Sequence, residues 1–317
     1  MALPTIDIFA AKLRDAGIKV EENLQGSQFT TYKIGGPISY CVRLKNDHDL
    51  HSLAEILLNG FSGVLNARNV CIIGNGSNLL IDDDGFNGFI FVLEGELSQI
   101  NKIENTAMDQ IKVCVGAGMS LPMFARQIVK DEIGGLEFYV GIPGTVGGAL
   151  AMNAGGHGKQ TSDVLDSVKV LNLTNGSWHE YTNPQCDFEY RSSRFSKTDL
   201  IIQATFIGNK ASQDEIKKAL DETVSWRREN QPGGRNVGSV FQNPEGISAG
   251  ALIEKCGLKG FSTRGARISE KHANFIQADS DAKAVDVKEV IAHVQKTVFE
   301  SLGYELKTEV RYISNYE

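Results

Sequence analysis

Stretches in which apolar residues recur every three or four positions alternate, along this chain, with shorter ones in which they recur every second position. The helical period predicts an amphipathic helix over 5–16 and a helix over 47–58 capped by Asn46 or Asp47. It predicts another over 121–130, apolar at Phe124, Ala125 and Ile128, and another over 214–230. Two further helices, over 248–256 and 285–302, are each stopped by a glycine, Gly257 and Gly303. Alternation or short apolar runs predict strands over 38–44, 69–73, 89–93, 111–115, 164–173, 178–181, 200–207, 273–277 and 305–313. Asn175-Gly176 marks a hairpin between 164–173 and 178–181. Strands with short helices, then a strand cluster, then a helix–strand–helix–strand segment read as α+β and not as a βαβ repeat. The length favours two or three domains, and the change of pattern near residue 212 predicts a division into 1–211 and 212–317.

Glycine interrupts this pattern in two places. Val140 to Gly158, VGIPGTVGGALAMNAGGHG, has seven glycines and no Lys, Arg, Asp or Glu. Such density costs folding entropy, so bare backbone is needed there. Gly74-Asn75-Gly76-Ser77-Asn78 has the same character directly after a predicted strand. Peptide N–H groups of both stretches, approached closely by a ligand's oxygens, would hold one large phosphate-containing ligand from two sides. The first loop lacks the lysine of a Walker A loop and the third glycine of a dinucleotide fingerprint. On its own it is equally well a plain turn.

Composition narrows the partners. With 41% hydrophobic and 22% charged residues the chain is an ordinary globular one. The net charge of −7 and the lack of a basic stripe argue against nucleic acid. No apolar run approaches a bilayer-spanning length, and the N-terminus has no basic segment before an apolar core. Cys41, Cys71, Cys114, Cys186 and Cys256 are scattered with no CxxC spacing, so buried, reduced thiols in a cytoplasmic protein are expected. The histidines show no metal-ligand spacing, and a monomer is expected because no unpaired amphipathic helix asks for a partner.

Four further stretches carry candidate chemistry, each with a plain alternative. Arg191, in DFEYRSS, could grip a carboxylate with both guanidinium arms or be a surface arginine. Ser239, in GSVFQNP, lies outside any G-x-S-x-G elbow, so it would act as a proton or hydrogen-bond donor or be a loop serine. Glu309, in ELKTEVR, shares a strand face with Glu305, Lys307 and Arg311, which could be simply solvated. His272, in SEKHAN, stands at a strand entrance and could be a turn histidine.

The order of these pieces is more specific than any one of them. TYKIGGP (31–37), GNGSNLL (74–80), VGAG (115–118), GIPGTVGGALAMNAG (141–155), YRSS (190–193), RRxxQP (227–232), GSVFQNP (238–244), AGxLIExxGLKG (249–260), SEKHANFI (269–276) and TEVR (308–311) follow one another over nearly the whole chain. In this the chain resembles the UDP-N-acetylenolpyruvoylglucosamine reductases, flavoenzymes of bacterial peptidoglycan synthesis. The resemblance implies an FAD-binding region of two subdomains on the PCMH-type flavoprotein plan, dividing near 95–110, and a smaller α+β substrate-binding domain after it. It implies non-covalent FAD held by Gly74, Asn75, Gly76, Ser77, Asn78, Gly116, Gly118, Ile142, Pro143, Gly144, Thr145, Gly147, Gly148 and Asn153. It implies NADPH as the reductant and UDP-N-acetylglucosamine enolpyruvate as the substrate, with hydride passing to flavin N5 and then to C3 of the enolpyruvyl group while C2 takes a proton. By similarity Ser239 donates that proton, and Arg191 and Glu309 polarise and hold the carboxylate. Tyr190, Asn243, Arg227, Arg228 and His272 fall at substrate-binding positions. Some members insert a mobile tyrosine-bearing loop between the Arg191 and Ser239 motifs; here that span has no room for it, which places the chain in the shorter subgroup.

Two rival readings share parts of this pattern. A sugar or alcohol oxidase would keep the glycine loops but not the Ser239, SEKHAN and TEVR motifs, and many such oxidases tether the flavin through His or Cys, for which Cys71 and His157 are placed. A non-enzymatic nucleotide-binding module would need no Arg191, Ser239 and Glu309 together.

Overall fold

The computed structural model describes residues 5–106 and 110–316. In chain order its elements are α1 (Ile6–Asp15), β1 (Lys19–Gln25), β2 (Pro37–Leu44), α2 (Asp47–Ile56), β3 (Val70–Ile72), β4 (Leu79–Ile81), β5 (Phe86–Leu93), β6 (Ile100–Asn105), β7 (Gln110–Gly116) and α3 (Leu121–Gln127). There follow β8 (Ile133–Gly134), α4 (Val146–Ala151), β9 (Gly155–Gly156), β10 (Lys159–Gln160), β11 (Leu165–Asn172), β12 (Trp178–Thr182) and β13 (Asp199–Lys210). The chain ends with α5 (Gln213–Asn230), α6 (Ala249–Lys255), β14 (Ala266–Ile268), β15 (Ile276–Ala278), α7 (Ala284–Leu302) and β16 (Arg311–Ile313).

The helices obey local rules. Asn46 caps α2, its side chain accepting the Asp49 N–H at 3.0 Å. The helix expected to 58 stops at Ile56, because Asn59 and Gly60 (φ 112°) leave helical geometry in the turn after it. In α7 the buried residues Val287, Val290, Ile291, Val294 and Val298 make one apolar stripe, and Gly303 ends the helix at φ 74°. No helix among the described residues is long and apolar enough to cross a membrane.

The chain divides into two compact units: Met1–Glu22 with Ser39–Gly74 and Gly88–Ser225, and Asn23–Ile38 with Asn75–Asn87 and Trp226–Glu317. The division therefore differs from the expected break at 212. The second unit begins inside α5 and takes in two earlier segments, which a reading along the sequence joins to their neighbours.

The first unit holds two apolar clusters. One gathers Phe9, Leu13, Val42, Leu44, Leu53, Phe89 and Phe91. The other gathers Val113, Val115, Phe124, Tyr139, Leu150, Val168 and Phe206. The first draws on residues up to Leu97 and the second begins at Ile111, while Leu171, Leu173, Leu200 and Ile202 return to the first. Residues 107–109, inside the span where the subdomains were expected to divide, lie outside the described residues. The sheets run in the orders β1-β2-β5-β3 and β12-β11-β13-β7-β6. The hairpin marked by Asn175-Gly176 is β11–β12, antiparallel, with Leu171 opposite Trp178. Cys41 and Cys186 are buried and burial pushes each thiol up to about 11, so neither is a ready nucleophile, whereas Cys71, Cys114 and Cys256 are only half-buried, against the expectation that all five are buried.

The second unit is closed by a pairing that its sequence hid. Leu79–Ile81, directly after the first glycine loop, pairs in parallel with the last strand, Leu79 opposite Arg311 and Ile81 opposite Ile313. The strand expected over 305–313 is thereby split. Residues 307–309 bond to 240–242 (Gln242 N–H to Lys307 O at 2.9 Å, Glu309 N–H to Val240 O at 2.7 Å), and the chain changes partner at buried Val310. Asp83, just beyond β4, accepts the Ala284 and Val285 N–H groups at 2.8 and 3.1 Å and so caps α7 from outside. Lys288 meets Asp82 at 2.8 Å. Gly36 permits this crossing, since a Cβ there would lie 2.0 Å from the Asp83 carbonyl oxygen. Tyr32, Ile34 and Leu80 join Val240, Phe241, Ile253 and Val290 in the core, and the Tyr32 hydroxyl has no hydrogen-bond partner among the described residues.

Replacing Asp83 with Ala should cost about 1 kcal/mol, lowering the melting temperature by roughly 2–4 °C; an unchanged thermal transition would contradict the cap. Tyr32→Phe removes only an unsatisfied buried hydroxyl, so its melting temperature should equal or exceed that of the wild type, and a clear fall would show that the hydroxyl is engaged.

Candidate functional site

Glycine segments of the first unit meet. A Cβ on Gly74 would stand 2.2 Å from Thr145 Oγ1, so Gly74 abuts the start of α4. Thr145 caps α4 by accepting the Gly148 N–H. Gly147 donates to Ala117 O at 2.8 Å, Val146 to Met119 O at 2.9 Å and Leu121 to Gly144 O at 2.9 Å, which locks the Gly116–Gly118 turn to the long glycine stretch. Gly116 and Gly118 themselves donate to Gln99 and Leu97, and a Cβ on either would lie under 2.5 Å from a neighbour. At 116, 118 and 147 glycine thus serves close packing, and these amides, with that of Gly148, are spent inside the protein. The amides of Gly76 and Ser77 have no protein acceptor among the described residues, and Ser77 adds a hydroxyl. This neutral donor set suits a diphosphate, so the residues present fit an FAD held without a P-loop cation.

Asn153, expected at the cofactor, works within the protein. It is buried at φ 41°, its Nδ2 donates to Glu189 O at 3.2 Å and its Oδ1 accepts the Ser162 N–H at 3.0 Å. Ser193 Oγ adds a bond to Ala151 O at 3.1 Å. Between these anchors Glu189-Tyr190-Arg191-Ser192 forms a tight turn, Glu189 and Ser192 bonding each other in both directions. Arg191 adopts φ 57°, a left-handed geometry unfavourable by about 1 kcal/mol for a residue with a Cβ. Its guanidinium stands 5.3 Å from the exposed Tyr190 ring. Strain held in place by neighbouring bonds marks a site where side-chain direction matters. Ile142 donates to Tyr139 O, and Pro143 is exposed beside it. His157 occupies the β9–β10 turn at φ 53°, followed by Gly158 at 79°.

The second unit brings Ser239 and Glu309 onto adjoining segments. Phe241 bridges Thr308, and Val240 O accepts the Glu309 N–H. Asn78, expected at the cofactor, gives its side-chain N–H to Glu309 O at 2.9 Å, and its own carbonyl accepts the Arg311 N–H at 3.0 Å. On the far side Asn274 grips the Ser239 segment. Its carbonyl accepts the Val240 N–H at 2.9 Å, its Oδ1 accepts the Phe241 N–H at 2.9 Å, and its Nδ2 donates to Phe241 O at 2.8 Å. Asn274 is not among the residues expected from the sequence; its signal is a small amide in a buried stretch, two residues past His272.

Of the residues expected at the substrate, His272 Nδ1 accepts the Asn274 N–H at 3.2 Å, which fixes the neutral ring with its proton on Nε2. Asn243 is exposed, and its Oδ1 accepts the Ala249 N–H at the start of α6. Arg227 Nε donates to Gln231 at 2.7 Å, and burial lowers its pKa. Arg228 is exposed, its carbonyl taking the Lys271 ammonium. Among the described residues no group of three or more His, Cys, Asp or Glu is arranged to hold a metal.

Residues 64–182 match the family model of an FAD binding domain, and residues 230–313 match that of the UDP-N-acetylenolpyruvoylglucosamine reductase C-terminal domain. A protein of Carboxydothermus hydrogenoformans named UDP-N-acetylenolpyruvoylglucosamine reductase is 41% identical over 293 residues, covering 92% of this chain and 93% of its own. One of the same name from Anoxybacillus flavithermus is 40% identical over 300 residues, covering 93% and 94%. The crystal structure of the Thermus caldophilus reductase superposes with a TM-score of 0.79 at 30% identity, over 94% of this chain and all of that one.

Burial holds the His272 imidazole below its ordinary 6.5, helped by Lys259 and opposed by a backbone hydrogen bond and Glu254. As pH falls, the unfolded chain takes up the proton first. The stability His272 contributes is therefore complete above about 6.5 and is lost progressively below it, toward the lower folded value. A proton NMR titration, with His272→Gln to identify the ring signal, should give a midpoint below 6.5; a midpoint at or above it would contradict this environment.

Proposed function

The chain belongs to the UDP-N-acetylenolpyruvoylglucosamine reductase family, and on that premise we propose that it uses NADPH to reduce UDP-N-acetylglucosamine enolpyruvate to UDP-N-acetylmuramate. It is an FAD-dependent oxidoreductase whose family serves peptidoglycan synthesis. The observation that carries the reading is the seating of Ser239 and Glu309 on hydrogen-bonded neighbouring segments, within relatives that match over almost their whole length. The protein acts as a cytoplasmic monomer with its FAD non-covalently bound, so the flavin should leave with acid precipitation, unlike that of a covalently tethered oxidase.

Bound FAD supplies the hydride route from nicotinamide to C3 of the enolpyruvyl group. The protein's own work is done around C2. Charge that develops there spreads into the carboxylate, and Arg191 meets it with a planar, permanently charged fork. Ser239 delivers the proton to C2. A serine hydroxyl is a weak acid, so this transfer needs assistance from neighbours. Glu309 sits beside the growing negative charge and holds the substrate carboxylate, a role that requires it to be protonated or paired with a cation. Tyr190, Asn243, Arg227, Arg228 and the Nε2–H of His272 bind the rest of the substrate, the arginines on the diphosphate.

Anaerobic addition of NADPH should bleach the flavin band near roughly 450 nm, the ordinary position for oxidised flavin, and the enolpyruvyl sugar should then restore it. Bleaching without restoration would transfer weight to an oxidase; a colourless protein that takes up no FAD would refute both readings. In the same assay Glu309→Gln should slow restoration by about 10²-fold or more, and near wild-type turnover would remove Glu309 from the mechanism.

A further inference from the structure

Ser239 is fixed from its two sides by different means. Upstream, Gly238 (φ 81°) gives its N–H to Asn236 Oδ1 at 3.0 Å, and a Cβ on it would meet nothing within 4 Å. That side is a permissive turn. Downstream, Val240–Gln242 is held as the middle of three layers. One neighbour is a real strand segment: Lys307 O accepts the Gln242 N–H and Glu309 N–H donates to Val240 O. The other is a single residue. Asn274 supplies its own carbonyl, its Oδ1 and its Nδ2 to Val240 and Phe241, three bonds of 2.8–2.9 Å from one 3% exposed residue.

We infer that Asn274 is the positioning residue for Ser239. It substitutes for a missing strand, and it sets the backbone from which the Ser239 hydroxyl leaves, next to the segment carrying Glu309. Asn274 is in turn oriented by His272, whose Nδ1 accepts its N–H, and by the turn in which Ser269 Oγ accepts the Lys271 and His272 N–H groups. A core asparagine with a purely structural role would need only to have its amide satisfied. Spending both ends of that amide on Phe241, with the adjacent carbonyl on Val240, makes the peptide plane after Ser239 rigid. Misplacing a proton donor by about 1 Å is enough to cost on the order of 10²-fold in rate.

The inference rests on the proposed function, and the experiment separates the two. Asn274→Asp keeps the acceptor for Phe241 and loses the donor; Asn274→Ala loses both. Val294→Ala, a cavity in the buried stripe of α7, serves as a variant destabilised elsewhere in the same unit. In FAD-loaded protein, bleaching by NADPH should be unchanged in both Asn274 variants. Restoration by saturating enolpyruvyl sugar should fall about 10- to 100-fold, with the half-saturating concentration within about threefold of wild type, while Val294→Ala stays at the wild-type rate. Hydrogen exchange over 238–242, measured without substrate, should accelerate in the Asn274 variants alone. Restoration at the wild-type rate, slowing of both half-reactions together, or unchanged exchange would overturn the role. A wild-type protein that bleaches and is never restored by the sugar would instead overturn the proposed function, and the role with it.

Discussion

The second unit depends on one short parallel ladder, Leu79–Ile81 against Arg311–Ile313. Each strand is three residues long, too short to be stable by itself. It is held by what surrounds it: the buried Leu80 and Val310, the Asn78 bonds to Glu309 and Arg311, and the Asp82 and Asp83 contacts to α7. Each such bond contributes only about 1 kcal/mol. Together they tie the residues after the first glycine loop to those around Glu309. The ladder gives the loop and the carboxylate a common origin, so neither can shift without the other.

The same logic explains how the glycines divide their labour. Glycine density in the sequence signals bare backbone, and two different needs meet that signal. At Gly116, Gly118 and Gly147 the backbone is bare because another backbone lies against it. At Gly76 and Ser77 the amides have no protein acceptor among the described residues. A ligand's diphosphate is the natural complement to the second kind, and the first kind locks the first unit's own glycine segments together. Asn78 and Asn153 are likewise framework. Each uses its side chain to fix the carbonyl of a residue on the reacting segments, Glu309 and Glu189.

Much of the fold was legible because it follows local rules. The apolar stripe of α7, its terminal Gly303, the Asn46 cap and the β11–β12 hairpin are all written in their own residues. The strands β1 and β6 were not legible. Nearly every position of KVEENLQ and INKIEN is exposed or half-buried, so no alternation betrays them. The three residues of β4 and the partner change at Val310 depend on pairings across more than two hundred residues, which periodicity cannot report. The reacting residues were legible through the order of motifs along the chain. Their supports were not, because Asn274 acts through two peptide bonds of another segment, and a sequence shows a buried asparagine without showing whom it grips.

Proton delivery from Ser239 is the point on which the account converges, since the ladder, the Asn274 grip and the Glu309 segment all serve to place that hydroxyl. The most direct test is the rate at which the enolpyruvyl sugar restores NADPH-bleached flavin in Ser239→Ala. The account predicts a fall of about 10²- to 10⁴-fold, the usual worth of a positioned acid, with bleaching by NADPH untouched. Restoration at the wild-type rate would contradict it.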